Sequence, residues 1–354
     1  MGDLLMRVCR SLATFAVYIY DRVRPMNRRE TVHVFLGLAL APLAAYAQQA
    51  GRVYRLGMLY ASRTPSVADQ QRNSNFLLPG ALRDLGYVEG RNLAIERRFA
   101  EGKLERLPVL ARELVQLRAD VIVAVGASAT LAVKAASAKI PIVLYGNIDP
   151  VALGLVSNLA RPGGSITGVL IAPGGTLAGK KLELLKNAVQ RAGRIALLAP
   201  TDPGFAGQLR ETQAAAASLG VELPVVEVRN GDFERAFAAV AALRTQALFV
   251  GAHQSFMADR KRIIELAATH RLPAIYEWPE QAEDGGLMAY GTSLSAIVQR
   301  IAAYVDLIFK GANPGELPIE QPSRFELAIN LKTAKALGLT IPQTLLVRAD
   351  RVIE

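Results

Sequence analysis

Residues 121–145 read VIVAVGASATLAVKAASAKIPIVLY. The run Val121–Val125 is apolar throughout, too short for a helix and without polar alternation, so it predicts a strand buried on both faces. Gly126-Ala127-Ser128 supplies turn residues, a helix is expected over about 129–138, and Ile142-Val143-Leu144-Tyr145 is a second buried strand. Strand, helix and strand in such close succession form a parallel crossover unit. The expected fold class is therefore α/β, a mostly parallel sheet flanked by helices.

The same plan extends in both directions. Upstream lie a strand at 53–59, a helix face of Leu78, Leu82 and Leu85 closing at Gly86, a strand at 93–99, and a helix carrying Leu107, Leu110, Leu114 and Leu117. Downstream, strands are expected at 195–198, 221–228, 247–250 and 273–276, with helices over 205–219, 232–243 and 259–270 between them. A short strand at 287–290 and a long amphipathic helix at 293–309 follow. Pro162-Gly163-Gly164 is turn chemistry and a natural place to change domain. The expected division is lobe one from 52–165 plus 292–320 and lobe two from 166–291 plus 321–354.

The N-terminus carries an address. Residues 26–47 combine a positive Asn27-Arg28-Arg29, an apolar run from 34 to 41, a break at Pro42 and the small-x-small motif Ala45-Tyr46-Ala47, the three parts of a cleavable export signal. The apolar run is about half of the roughly 20 residues that span a bilayer, so no stable membrane anchor is expected after cleavage. Export signals open a chain, so residues 1–25 are read as an extension upstream of a start at Met26. Sec and twin-arginine export both remain open.

Composition narrows the chemistry. The net charge of +10 falls to +7 once residues 1–47, with six Arg against three acids, are set aside. The remaining charges alternate in sign, as in Glu96-Arg97-Arg98, so no nucleic-acid stripe is expected. Cys9, the single cysteine, lies in the removed segment, leaving neither a disulfide nor a lipid-attachment thiol. An exported chain without an anchor implies a periplasmic location in a cell with two membranes.

Cofactor and catalytic motifs are weak. Gly174-Gly175-Thr176-Leu177-Ala178-Gly179-Lys180-Lys181 approaches a phosphate-binding loop, but Lys181 stands where a magnesium-binding hydroxyl belongs. Only His253 and His270 follow residue 47, no Gly-x-Ser-x-Gly elbow occurs, and no Ser or acid is spaced to form a triad with His253. No dinucleotide fingerprint and no His/Asp/Glu set with metal spacing is present, so no cofactor, no metal and no enzymatic activity are expected.

Ligands of open α/β sheets collect beyond the carboxyl ends of the strands. In lobe one these ends hold Tyr60, Ser62, Ala127, Ser128, Asn147 and Asp149; in lobe two they hold Pro200-Thr201-Asp202, His253, Tyr276-Glu277-Trp278 and Tyr290. The candidate ligand-binding set is Tyr60, Ser62, Ala127, Ser128, Asn147, Asp149, Thr201, His253, Tyr276, Trp278 and Tyr290. Ser62, Ser128, Asn147 and helix-start amides suit a carboxylate, whereas Asp149 or Glu277 would hold an ammonium. Asp149-Pro150 is equally a helix cap followed by proline at the first position.

Several stretches carry a family resemblance: Leu85-Gly86-Tyr87-Val88-Glu89-Gly90, Leu159-Ala160-Arg161-Pro162-Gly163-Gly164, Leu272-Pro273-Ala274-Ile275-Tyr276 and Gly285-Gly286-Leu287-Met288-Ala289-Tyr290-Gly291. Residues 320–339, EQPSRFELAINLKTAKALGL, match most strongly. The chain resembles the substrate-binding proteins of ABC transporters in the tryptophan/tyrosine-type group. That resemblance implies a two-lobed periplasmic-binding-protein fold of type I with three crossovers, the last near 318–324, and no catalysis. It also implies a small ligand, an amino acid in this reading, delivered to an ABC permease and its ATPase. The alternative is a periplasmic sensing module for a membrane receptor. Three departures fall at the cleft or beside it: Pro79 interrupts the first helix, Gly251-Ala252-His253-Gln254-Ser255 replaces a Pro-Asp-Pro type loop, and Tyr145-Gly146-Asn147-Ile148 differs from the common Val-Asn-Val-Gly form.

Overall fold

The computed structural model describes residues 52–65, 74–172 and 176–354. The export signal at 26–47, the extension at 1–25 and Gly174-Gly175 of the phosphate-loop-like stretch lie outside the described residues.

From Tyr54 the chain forms strand β1 (Tyr54–Tyr60), helix α1 (Ser74–Asp84), β2 (Leu93–Phe99), α2 (Leu107–Gln116), β3 (Val121–Val125), α3 (Ala127–Ala136), β4 (Ile142–Gly146) and β5 (Ile166–Leu170). It continues with α4 (Thr176–Ala188), β6 (Ile195–Pro200), α5 (Ala206–Leu219), β7 (Val225–Val228), α6 (Phe233–Ala242) and β8 (Ala247–Val250). Next come α7 (Gln254–Ala258), α8 (Arg260–Thr269), β9 (Ala274–Tyr276), α9 (Pro279–Glu283), β10 (Met288–Gly291) and α10 (Leu294–Phe309). Strands β11 (Ile319–Glu320), β12 (Glu326–Asn330) and β13 (Arg351–Ile353) complete the sheets, with short helices α11 (Leu331–Ala336) and α12 (Gln343–Leu346) between the last two strands.

Two sheets result, in the orders β11-β5-β4-β3-β1-β2 and β13-β12-β10-β9-β8-β6-β7. Every pairing is parallel except β10 with β12. Each sheet with its helices forms a lobe. In lobe one, Leu78 and Leu82 of α1 and Ile297, Ile301 and Val305 of α10 cover one face, while Leu110 and Leu114 of α2 and Val133 of α3 cover the other. Lobe two is layered likewise, with Leu182 and Leu185 of α4 on one face and Phe237 and Val240 of α6 on the other. Burial on both faces explains why β3, β4 and β5 contain no exposed position.

The lobe boundary expected at 165/166 is corrected by the pairing. Strand β5 belongs to lobe one, hydrogen-bonded between β4 and β11, so the chain first leaves that sheet after Leu170. Pro162-Gly163-Gly164 is a turn inside lobe one, where Gly163 donates its amide to the Gly315 carbonyl at 3.0 Å. The chain then crosses back between β10 and α10 and out again between β11 and β12. At these crossings the Thr292 hydroxyl donates to the Ile171 carbonyl at 3.4 Å.

Local differences have local causes. Helix α1 continues through Pro79, near its middle, instead of being interrupted there, and Leu85 is 44% exposed beyond its end. Helix α3 starts two residues earlier than expected, because Gly126 takes φ +88° and turns the chain directly off β3. Asp232 caps α6 by accepting the Arg235 amide at 3.0 Å. Asp232→Ala is expected to cost about 1 kcal/mol, read as a lower denaturant midpoint at unchanged slope.

Candidate functional site

The carboxyl ends of β3 and β4 meet those of β6, β8 and β9 across a cavity of about 20 Å³, room for about one water molecule. Lobe one contributes Gly126, Ala127, Gly146, Asn147 and Ile148, with Ile171 at the first crossing. Lobe two contributes Asp202, Gly204, Phe205, Ala252, His253, Gln254 and Trp278.

Asp202 is the hub. It follows β6, and its Oδ1 accepts the Gly204 amide at 2.8 Å and the Ser128 hydroxyl at 2.9 Å, the second bond crossing from lobe one. Its Oδ2 lies 3.2 Å from His253 Nε2. Burial pushes the Asp202 carboxyl up, but the His253, Gly204 and Ser128 hydrogen bonds outweigh it and hold the group below its ordinary range. The Ser255 amide donates to His253 Nδ1 at 3.3 Å, so that nitrogen accepts and Nε2 carries the proton facing Asp202. The Ser255 hydroxyl also lies 2.7 Å from Nδ1.

The expectation that no Ser or acid is spaced to form a triad with His253 is thereby corrected: Ser255, two residues on, and Asp202, 51 residues back, lie at its two ring nitrogens. The chain of bonds does not stop at the carboxylate but runs on to Ser128, so it ties one lobe to the other. A second tie joins the Arg63 guanidinium to the Asn230 carbonyl at 2.6 Å.

Two residues that line this cavity each carry a buried donor without an acceptor among the described residues: Trp278 Nε1, on a residue 1% exposed, and Gln254 Nε2, on a residue 8% exposed. Trp278 is held from behind, because Gln281 Oε1 accepts the amides of Glu277 and Trp278 at 3.2 and 3.1 Å. The first-turn amides of α3 start at the same wall, where a helix has no carbonyls of its own to offer them. The side of Phe205 and the ring of Trp278 supply apolar surface.

Of the residues selected from sequence, Ala127, Asn147, His253 and Trp278 line the cavity, and Ser128 bridges the lobes beside it. The others are placed elsewhere. Tyr60 is buried in lobe one, stacked on Phe99 at 4.7 Å with its hydroxyl on Met58 Sδ; burial raises its pKa. Ser62 is buried at the end of β1. Asp149 is exposed and caps its own turn, accepting the Val151 and Ala152 amides at 3.1 and 3.0 Å. Thr201 is exposed beside a neighbouring pocket, Tyr276 lies in the core of lobe two, and Tyr290 packs at 6.1 Å on Phe325. Glu277 is committed to Lys181, both side chains 2% exposed. Gly204 and Phe205 are not among the strand-end residues read from sequence. Asp202 is among them and Gln254 stands in the stretch 251–255, but neither belongs to the candidate ligand-binding set.

Among the described residues no group of His, Cys, Asp and Glu could hold a metal ion, and no helix is long and apolar enough to cross a membrane.

Two α/β lobes joined by three crossings, with a cavity at the facing strand ends, define a type I periplasmic-binding fold. The chain belongs to the ABC transporter substrate binding protein family, whose profile matches residues 77–353. A protein of Vibrio cholerae is similar at TM-score 0.74 and 25% identity, covering 85% of this chain and 100% of its own. An ABC domain from Streptococcus pneumonia, solved in complex with L-Trp, is similar at TM-score 0.73 and 22% identity over 85% of this chain and 100% of its own. In sequence, a tyrosine-binding protein of Clostridioides difficile is 24% identical over 262 residues, 73% of this chain and 74% of the relative.

Proposed function

We propose that this protein captures a small amino acid ligand, an aromatic one in the first instance, between its lobes and delivers it to an ABC permease. The observation that carries this reading is the pair of unmatched buried donors, Trp278 Nε1 and Gln254 Nε2, in a cavity shared by both lobes. An unsatisfied buried donor costs about 1–3 kcal/mol, so a ligand carboxylate that accepted from either would recover that cost. Phe205 and Trp278 give that ligand an apolar flank. The similarity to a tyrosine-binding protein and to a domain solved with L-Trp supports the amino acid class.

The cavity of about 20 Å³ is far below the roughly 300 Å³ and more of ordinary ligand pockets, so a ligand reaches it only when the lobes part. Capture is then a hinge motion at the three crossings, favoured because contacts from both lobes exist together only in the closed state. Export through residues 26–47 places this work in the periplasm, with no cofactor and no catalytic step.

A thermal-shift series with amino acids, sugars and organic acids tests the reading. At a ligand concentration of about 100 Kd, stabilisation of about 2.7 kcal/mol is expected, a rise of several degrees in Tm for an aromatic amino acid. No rise with any amino acid at millimolar concentration would overturn it.

A further inference from the structure

The donors account for a ligand's carboxylate but leave its ammonium without an acceptor, and both acids expected for that role are engaged elsewhere. Asp149 is exposed and caps its own turn. Glu277 is buried against Lys181. Among the described residues, Asp202 is the one carboxylate that lines the interlobe cavity. Among the described residues its Oδ1 accepts from Gly204 and Ser128 and its Oδ2 faces His253 Nε2 alone, so withdrawal of Ser128 as the lobes part frees an acceptor direction on Oδ1 beside the open one on Oδ2.

We propose that Asp202 is the anchor for the ligand's ammonium and that Ser128 holds its place until the ligand arrives. The proposal rests on the amino acid reading above. A hydroxyl crossing from lobe one gives a carboxylate a neutral partner; an ammonium gives it a charged one in the same desolvated site, roughly twice as strong. Exchanging Ser128 for the ligand therefore favours the ligand once the lobes have opened enough to admit it. His253 and the Gly204 amide keep the carboxylate oriented through the exchange, because both belong to lobe two and move with it.

Titration calorimetry with two probes tests this: L-tryptophan and indole-3-propionate, which share ring and carboxylate and differ in the amine. The wild-type chain is expected to prefer L-tryptophan by at least about 30-fold, a value typical of one buried charge-assisted bond. Asp202→Asn keeps an acceptor for Gly204 and Ser128 but loses the charge; L-tryptophan should weaken by about 10–100-fold and the preference between probes should disappear. Ser128→Ala should bind L-tryptophan several-fold more tightly with the preference intact, which keeps the test decisive if Asp202→Asn does not fold. Equal binding of both probes to the wild-type chain, a preference retained in Asp202→Asn, or weakened L-tryptophan binding in Ser128→Ala overturns the role of Asp202 and leaves the amino acid reading standing. Failure of the wild-type chain to bind L-tryptophan or any other amino acid removes that reading, and the Asp202 proposal with it.

Discussion

Lys181→Met is expected to lower the melting temperature by about 5–10 °C, whereas the double variant Lys181→Met, Glu277→Leu recovers most of the loss. Lys181 lies on α4 and Glu277 follows β9, and their side chains form an ion pair with each only 2% exposed. The Lys181 ammonium also sits 4.9 Å from the centre of the Phe249 ring. Taking both charges out of water is costly, and their attraction roughly offsets that cost. Removing one partner leaves the other uncompensated, at about 3–5 kcal/mol, but removing both restores an apolar interior. Glu277 Oε1 has no hydrogen-bond partner, which limits what the intact pair contributes. Equal losses in the single and double variants, measured by thermal unfolding, would contradict this account.

Gly204→Ala is expected to leave each lobe folded and to weaken ligand binding at least tenfold. A Cβ at Gly204 would stand 2.4 Å from the Cβ of Ala127 in the opposite lobe. Neither atom can rotate away, since both are fixed to backbone, and ordinary carbon contacts need about 3.5–4 Å. The lobes must therefore stay about 1 Å or more further apart, which loosens their joint grip on a ligand and opens the cavity to water. Small-angle scattering should show a larger radius for the variant with ligand, and calorimetry should show the affinity loss. Wild-type affinity in Gly204→Ala would mean that closure to this contact is not needed for capture.

Much of the fold can be read from the sequence because it rests on local patterns. Fully apolar runs such as Val121–Val125 become central parallel strands, and the spacing of Leu107, Leu110 and Leu114 becomes the buried face of α2. The lobe boundary was less legible: Pro162-Gly163-Gly164 marks a turn, but a turn does not say which sheet the next strand joins. That is decided by the pairing of β5 with β4 and β11.

The site was legible as a region more than as a set of contacts. Strand ends at Gly126-Ala127-Ser128, Gly146-Asn147 and His253 do converge, as the topology of open sheets requires. What sequence position cannot convey is which polar groups consume one another. Asp149 satisfies its own turn, Glu277 is taken by a lysine far along the chain, and Asp202 emerges as the hub because folding sets Ser128 and His253 beside it. Lys181 shows the same limit: of the two adjacent lysines on α4, Lys180 pairs with Glu183 near the surface while its neighbour is buried.

Trp278 is the single tryptophan of the chain and lines the interlobe cavity, so its fluorescence reports on that site alone. Titration with L-tyrosine, with excitation selective for tryptophan, tests most directly that ligand is captured between the lobes. The account predicts a saturable change in Trp278 emission with the same midpoint as calorimetric binding. Calorimetric binding with no change in Trp278 emission would place the ligand elsewhere and contradict it.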